Sequence, residues 1–209
     1  MKPEAIRDLK IGRALAVAVA ILAAGCGASF ANYDYAKEPD PRSAEIVLGV
    51  GDAVAINVWE NANLNTEVTI RPDGTITMPL VGDLKAAGET PTGLKALIKT
   101  KLQNFLKLGD RGNEITVTVK SYKSYRFTIQ GEVSHTGVLT SDQYVTVADA
   151  LALAGGLTRF AKRSEIVLMR RDPKTGKIRQ IPLDYDQLAS GKRPDMNIFV
   201  LAGDTIWVP

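Results

Sequence analysis

Residues 48–59 read LGVGDAVAINVW, and this stretch decides how the rest of the chain is read. Gly51 permits a sharp entry, Asp52 brings a carboxylate able to bond the turn backbone, and the β-rich run at 53–59 follows as a strand. The same order returns near the other end of the chain, in Gly203, Asp204, Thr205 and Ile206. Both are read first as turn-fixing residues at the start of a strand.

Outward from the first block, residues 67–70 alternate and Arg71, Pro72, Asp73 and Gly74 form a turn. Proline there presets φ and glycine accepts a positive φ. Alternation resumes at 75–80, so the segment is expected to be a hairpin. Thr90 and Pro91 then supply a helix N-cap and a first-turn proline. Leu94, Leu97, Ile98, Leu102, Phe105 and Leu106 recur at helical spacing, mostly clear of Lys95, Lys99, Lys101 and Lys107. The pattern predicts an amphipathic helix of about four turns, closed by the glycines at 109–112. Its lysines read as a solvated outer face, with a membrane-surface role as the alternative. A strand at 115–119 completes a first domain, 46–120, of β-β-α-β order.

The second domain, 121–209, opens with an alternating strand that ends at Gly131, Glu132 and Val133. A capping box at 146–149 feeds a short apolar helix at 150–154, closed by Gly155 and Gly156. Strands are expected at 165–170, 178–183 and 204–208, with a turn at 172–176 between the first two. The predicted class is α+β, in two small, mostly-β domains.

The first 30 residues have another character. Lys2, Arg7, Lys10 and Arg13 precede an uncharged run at 14–24. As a helix that run rises about 16 Å, against about 30 Å for a bilayer core, so it reads as the apolar part of a secretory signal. Residues 22–26, LAAGC, resemble a bacterial lipobox, with the leucine one place further from the cysteine than is usual. The resemblance implies cleavage of a signal at 1–25 and lipidation of Cys26, and Gly27 beside it resembles lipoproteins sent on to the outer membrane. The alternative is an incidental cysteine in an ordinary secretory signal. As the only cysteine of the 209 residues it has no partner for an internal disulfide. Residues 26–45, polar and holding Pro39 and Pro41, read as the lipidated cysteine followed by a tether.

Charge and chemistry narrow the function. The formal charge of +3 falls to +1 without residues 1–25, which hold four of the basic and two of the acidic side chains. That leaves no cationic footprint for nucleic acid. Asp52, Asp73, Asp83, Asp149 and Asp204 lie scattered through turns, with no sign of the paired carboxylates a glycosidase needs. His135 is the only histidine and sits in a predicted loop. One cysteine and one histidine cannot make a zinc site of the usual nitrogen and sulfur type. No phosphate-binding glycine pattern appears. No enzyme, metal or cofactor is expected.

Taken together, 48–52, 56–59, 71–76 and 79–82 resemble the export domain of the polysaccharide export protein family, the Wza-like outer-membrane export lipoproteins. Gly131 to Val133, 146–149, 154–157 and 202–209 resemble its soluble-ligand-binding β-grasp (SLBB) domain. The resemblance implies a lipid-anchored ring subunit, at the outer membrane and facing the periplasm, of a conduit for capsular polysaccharide or exopolysaccharide. Its implied partners are further copies of itself, an outer-membrane β-barrel, an inner-membrane polysaccharide co-polymerase and the exported polysaccharide. The motif turns at Gly51, Asp52, Pro72, Asp73, Gly74, Gly131, Glu132, Gly155, Gly156, Gly203 and Asp204 would then be structural or lie at subunit contacts. The loop 134–137 reads SHTG, without the proline usual before that glycine. The expectation is a short form that ends after one β-grasp domain without a pore helix, and therefore needs a separate outer-membrane component. A monomeric periplasmic carbohydrate-binding or scaffold lipoprotein is the alternative.

Overall fold

Strand β1, Ala53–Val58, is the centre of a three-stranded antiparallel sheet because it is buried almost throughout, with Val54, Ile56 and Val58 inside. In the computed structural model, which describes residues 33–106, 114–173 and 175–209, it is flanked by β2, Thr66–Thr69, and by β5, Ile115–Ser121. The expected signal at 1–25, Cys26 and the glycines expected to close the helix at 109–112 lie outside the described residues, as does Lys174 in the expected turn at 172–176.

Between β2 and β5 come β3, Thr75–Met78, and β4, Gly82–Lys85, paired with each other in a separate two-stranded sheet. The expected hairpin therefore forms only at its tip. Arg71 N–H donates to the Thr75 carbonyl at 2.9 Å and Gly74 N–H to the Arg71 carbonyl at 2.8 Å. Beyond the turn β2 joins β1 and β3 joins β4. Alternation marks a strand without naming its partner, and β4 buries only Leu84, so it leaves no alternating signature.

Helix α1, Pro91–Leu102, starts as expected, with Gly93 N–H donating to the Thr90 hydroxyl at 3.0 Å. Leu94, Ile98 and Leu102 are fully buried at four-residue spacing. Leu97, 39% exposed, and Phe105, 58% exposed, lie off this ridge, so the inward stripe is one residue wide. The ridge packs with Ile56, Ile76, Met78 and Leu84 in a single core.

A second core belongs to a five-stranded sheet. Its strands are β6, Arg126–Gly131, β7, Gly137–Thr140, β8, Ile166–Arg171, β9, Ile178–Leu183, and β10, Thr205–Val208. The order is β7-β6-β10-β8-β9, with β10 parallel to β6 and every other pair antiparallel. A first and last strand lying parallel at the centre is the β-grasp arrangement. Helix α2, Val147–Leu153, has the expected capping box between Thr146 and Asp149. The sheet's fifth strand, β7, and a third helix, α3, Tyr185–Ala189, gave no sequence signal, being four and five residues long and too short to display a period.

Residues 33–43 are not a free tether. They form two short 3-10 turns, Tyr35–Lys37 and Pro41–Ser43, against the second core, where Tyr35 is 3% exposed. Its hydroxyl donates to the Pro182 carbonyl at 2.5 Å. Two tyrosines at 33 and 35, with ring centroids 4.9 Å apart, bring enough apolar surface to offset the entropy of ordering so polar a stretch. No described helix is long and apolar enough to cross a membrane.

Truncating the helix ridge reads out the first core. Ile98→Ala is expected to cost about 2–5 kcal/mol in urea unfolding, and Leu97→Ala less than about 1 kcal/mol.

Candidate functional site

The two Gly-Asp turns share one geometry. In each, the Asp N–H donates to the carbonyl three residues back, Asp52 to Gly49 at 3.2 Å and Asp204 to Leu201 at 3.1 Å. The carboxylate returns the bond, accepting from Gly49 N–H at 2.8 Å and from Leu201 N–H at 2.7 Å. The intervening Gly51 and Gly203 have φ of +93° and +83°. Each turn thereby closes on itself and delivers a buried carboxylate at the mouth of a strand.

The carboxylates then diverge. Asp52 accepts the backbone N–H of Ser124 at 2.6 Å and its hydroxyl at 2.8 Å. It thus ties the entry of β1 to the residues leading into β6. A Cβ at Gly49 would stand 2.4 Å from that of Ser124, so only glycine allows this approach. Asp204 instead meets Arg170. The guanidinium donates from Nε at 3.1 Å to each carboxylate oxygen, and from Nη2 at 2.6 Å to Oδ2. Arg170 also donates from Nη1 to Glu38, in the strap formed by residues 33–43, at 2.7 Å and from Nη2 to the Phe199 carbonyl at 2.7 Å. Glu38 is further held by Arg179 at 3.0 Å and by the Tyr33 hydroxyl.

Burial alone would raise the Glu38 carboxyl, but the Tyr33 hydroxyl, Arg179 and Arg170 together hold it below its ordinary value. Burial, with Glu38 beside it, pushes the Tyr33 hydroxyl up to about 12. Burial pushes the Asp204 carboxyl up, against the pull of Arg170.

Gly131, Glu132, Gly155 and Gly156 come together at the other end of the β-grasp sheet. Glu132 N–H donates to the Val208 carbonyl at 2.9 Å, and the Thr158 hydroxyl donates to the Glu132 carboxylate at 2.6 Å. Ser134 N–H reaches the Gly156 carbonyl, and the Ser134 hydroxyl reaches that of Gly155. At Gly131 a Cβ would sit 1.9 Å from the Val208 carbonyl oxygen, which the parallel pairing of β6 with β10 puts there. His135 lies in this loop, its N–H bonded to the Ala154 carbonyl. Pro72, Asp73 and Gly74 form a separate knot. Asp73 accepts from Thr75, and Arg71 bridges Asp73 and Asp83.

Among the clefts that open on the described surface, two are of ligand size. One, of about 420 Å³, lies where β1 ends and β5 begins, lined by Asn57, Trp59, Glu60, Asn65, Glu114 and Thr116. The other, of about 660 Å³, runs beside the strap between Arg42, Tyr144, Asp149, Leu153 and Phe199, with the Arg42 guanidinium 4.4 Å from the Phe199 ring centre. Among the described residues no three His, Cys, Asp or Glu side chains gather to hold a metal ion.

The sequence reading passed over Arg170, Glu38 and Ser124. A signal for Arg170 was present: in β8, Ile166, Leu168 and Arg170 share the buried parity, and a charge on that face requires a buried counter-charge. Neither Glu38 nor Ser124 carries such a signal.

Comparison with known proteins accords with this layout. The family model described as polysaccharide biosynthesis/export protein matches residues 40–121, and that of the SLBB domain matches 126–182. The exopolysaccharide production protein ExoF of Rhizobium meliloti is 31% identical over 56% of this chain and 30% of its own length. The EPS I polysaccharide export outer membrane protein EpsA of Ralstonia nicotianae is 24% identical over 77% of this chain and 46% of its own. The capsule polysaccharide export outer membrane protein CtrA of Neisseria meningitidis serogroup A is 23% identical over 84% and 47%. The matched region therefore spans less than half of each of these relatives.

Two outcomes test the buried charge cluster. Arg170→Met leaves Asp204 without its cation and Glu38 with Arg179 alone, and is expected to cost about 3–5 kcal/mol in urea unfolding, with the bond after Lys37 becoming open to trypsin. Acid should free the strap. The folded-state value of Glu38 lies below its ordinary 4.5, so its contribution is present above about pH 4.5 and is lost as pH falls through the lowered value. Asp204 titrates in the opposite sense, so the readout is local: amide exchange at Glu38, normalised for pH, rises below pH 4.5 while that of β6 does not.

Proposed function

The chain belongs to the polysaccharide biosynthesis/export protein family, and from that premise we propose that it is a lipid-anchored ring subunit of a conduit carrying a capsular polysaccharide or exopolysaccharide to the outer membrane. The observation that carries this reading is the match of both domain models in order, 40–121 and then 126–182. Of the named relatives, EpsA and CtrA are described as polysaccharide export outer membrane proteins and ExoF as an exopolysaccharide production protein.

The anchor in this proposal is a lipid on Cys26, as the order of charged, apolar and small residues before it implies. The ring is supported by the form of the β-grasp sheet. Its outer strands, β7 and β9, are paired on one side only, and each displays an apolar side chain, Val138 at 63% and Ile178 at 56% exposed. Two different edges that meet head to tail generate a closed ring when the rotation closes, and covering them removes an aggregation hazard. The implied partners are an outer-membrane β-barrel and an inner-membrane polysaccharide co-polymerase. No catalytic step is assigned to the chain.

The test is a particle image of detergent-extracted protein from cells labelled with palmitate. A labelled ring is expected, and Cys26→Ser should lose the label and stop polymer export. A labelled species that stays strictly monomeric while export continues would favour a carbohydrate-binding or scaffold lipoprotein instead.

A further inference from the structure

Trp59 stands out among the large apolar side chains because it contributes nothing to either core. It follows the fully enclosed Val58 and is itself 71% exposed. Leaving so large an aromatic surface in water gains the fold nothing. Yet the ring is not loose. Its indole N–H donates to the Glu60 carboxylate at 3.1 Å, and Glu60 has a φ of +59°, a left-handed backbone that a non-glycine residue adopts only under constraint. The Asn61 side chain holds the Trp59 carbonyl at 3.1 Å, and Trp59 N–H donates to the Glu114 carbonyl at 2.7 Å. The indole is held at its N–H, and the backbone that carries it at both its N–H and its carbonyl.

The cleft it borders has the size of a small-ligand site, about 420 Å³ against the roughly 300–1,000 Å³ typical of such sites. The remaining lining is polar and directional. The Asn65 side-chain carbonyl accepts Val58 N–H at 2.8 Å, which leaves its NH2 as a donor, and Asn57 and Thr116 are exposed on the same lining. An aromatic plane beside amides and a hydroxyl matches one ligand chemistry well. A pyranose ring has an apolar C–H face to lie on the indole and a rim of hydroxyls for the polar groups.

Charge narrows the class. Glu60 lines the cleft and is exposed to it, and Glu114, also on the lining, pairs with Lys99 at 3.8 Å. The exposed Glu60 carboxylate opposes a uronate, a phosphate or a sulfate. We propose that the Trp59 cleft is a saccharide subsite for an uncharged or amino sugar unit of the exported polymer. The proposal rests on the reading that the chain handles a polysaccharide. Trp59 supplies the stacking plane, Glu60 fixes its orientation, and Asn57, Asn65 and Thr116 meet the hydroxyls.

The experiment uses the lipidated full chain in detergent, in a Trp207→Phe background that leaves Trp59 as the only tryptophan. Its emission is titrated with oligomers prepared from the strain's own secreted polysaccharide, with hexagalacturonate as the acidic comparator. A saturable change with the former, weaker by about tenfold or more with the latter, is expected. In cells, Trp59→Ala should lower exported polymer several-fold with particle mass and palmitate label unchanged, and Trp59→Tyr, which keeps an aromatic plane, should restore part of it. An emission that does not move, or tighter binding of hexagalacturonate, overturns the subsite. So does a Trp59→Ala protein whose particles fall apart, which would make the indole a contact between copies. If deletion of the whole gene leaves export intact, the export reading fails, and the titration still judges the cleft.

Discussion

A guanidinium keeps its proton inside a protein, so wherever it is enclosed it must be surrounded by acceptors. Arg170, 3% exposed, meets that constraint with three unrelated pieces of chain: Asp204 at the mouth of β10, Glu38 in the strap, and the Phe199 carbonyl. The central parallel strand, the N-terminal segment and the loop before β10 are therefore positioned by one side chain. Removing the cation leaves the enclosed Asp204 carboxylate with no counter-charge and Glu38 with Arg179 alone, whereas removing a single apolar contact would leave only a cavity.

Asp52 performs the corresponding task for the first core with neutral donors. Its carboxylate gathers the N–H of Gly49 and both the N–H and hydroxyl of Ser124, so β1 begins where the chain turns toward β6. A flexible linker would need no such buried acceptor. Similar turns in sequence thus serve two ends: one seals a junction with hydrogen bonds, and the other seats an ion cluster.

Much of this was legible in the residues, and the gaps have physical causes. Helix starts were clear because a cap is local: Thr90 bonds Gly93, and Thr146 pairs with Asp149, within one turn of chain. The strands at β1, β6, β8 and β10 were clear because runs of β-branched and aromatic residues are local too. Partners were not legible, since the pairing of β3 with β4 depends on where inward-facing Ile76 and Leu84 find each other. The strap was misjudged as a tether because two prolines and several charges outweighed two tyrosines in the reading, whereas in the fold Tyr35 and Glu38 outweigh the rest. Trp59 reads as one more strand residue, and only its exposure separates it from Ile56 and Val58.

The strap also sets an order of events. Glu38 and Arg170 are 132 residues apart in sequence, so residues near the start of the described chain wait for residues near its end. Chains emerge and are threaded across membranes from the N-terminus, and domains form as units in that order. The core around β1 and α1 holds its own contacts and is free to close while the β-grasp residues are still arriving. The strap closes last, because the entropy of so long a loop is recovered only once Arg170 and Asp204 are both in place. Until that step residues 33–43 lack their partners, and one closure then seats Tyr35 in the β-grasp core and Glu38 on Arg170 together.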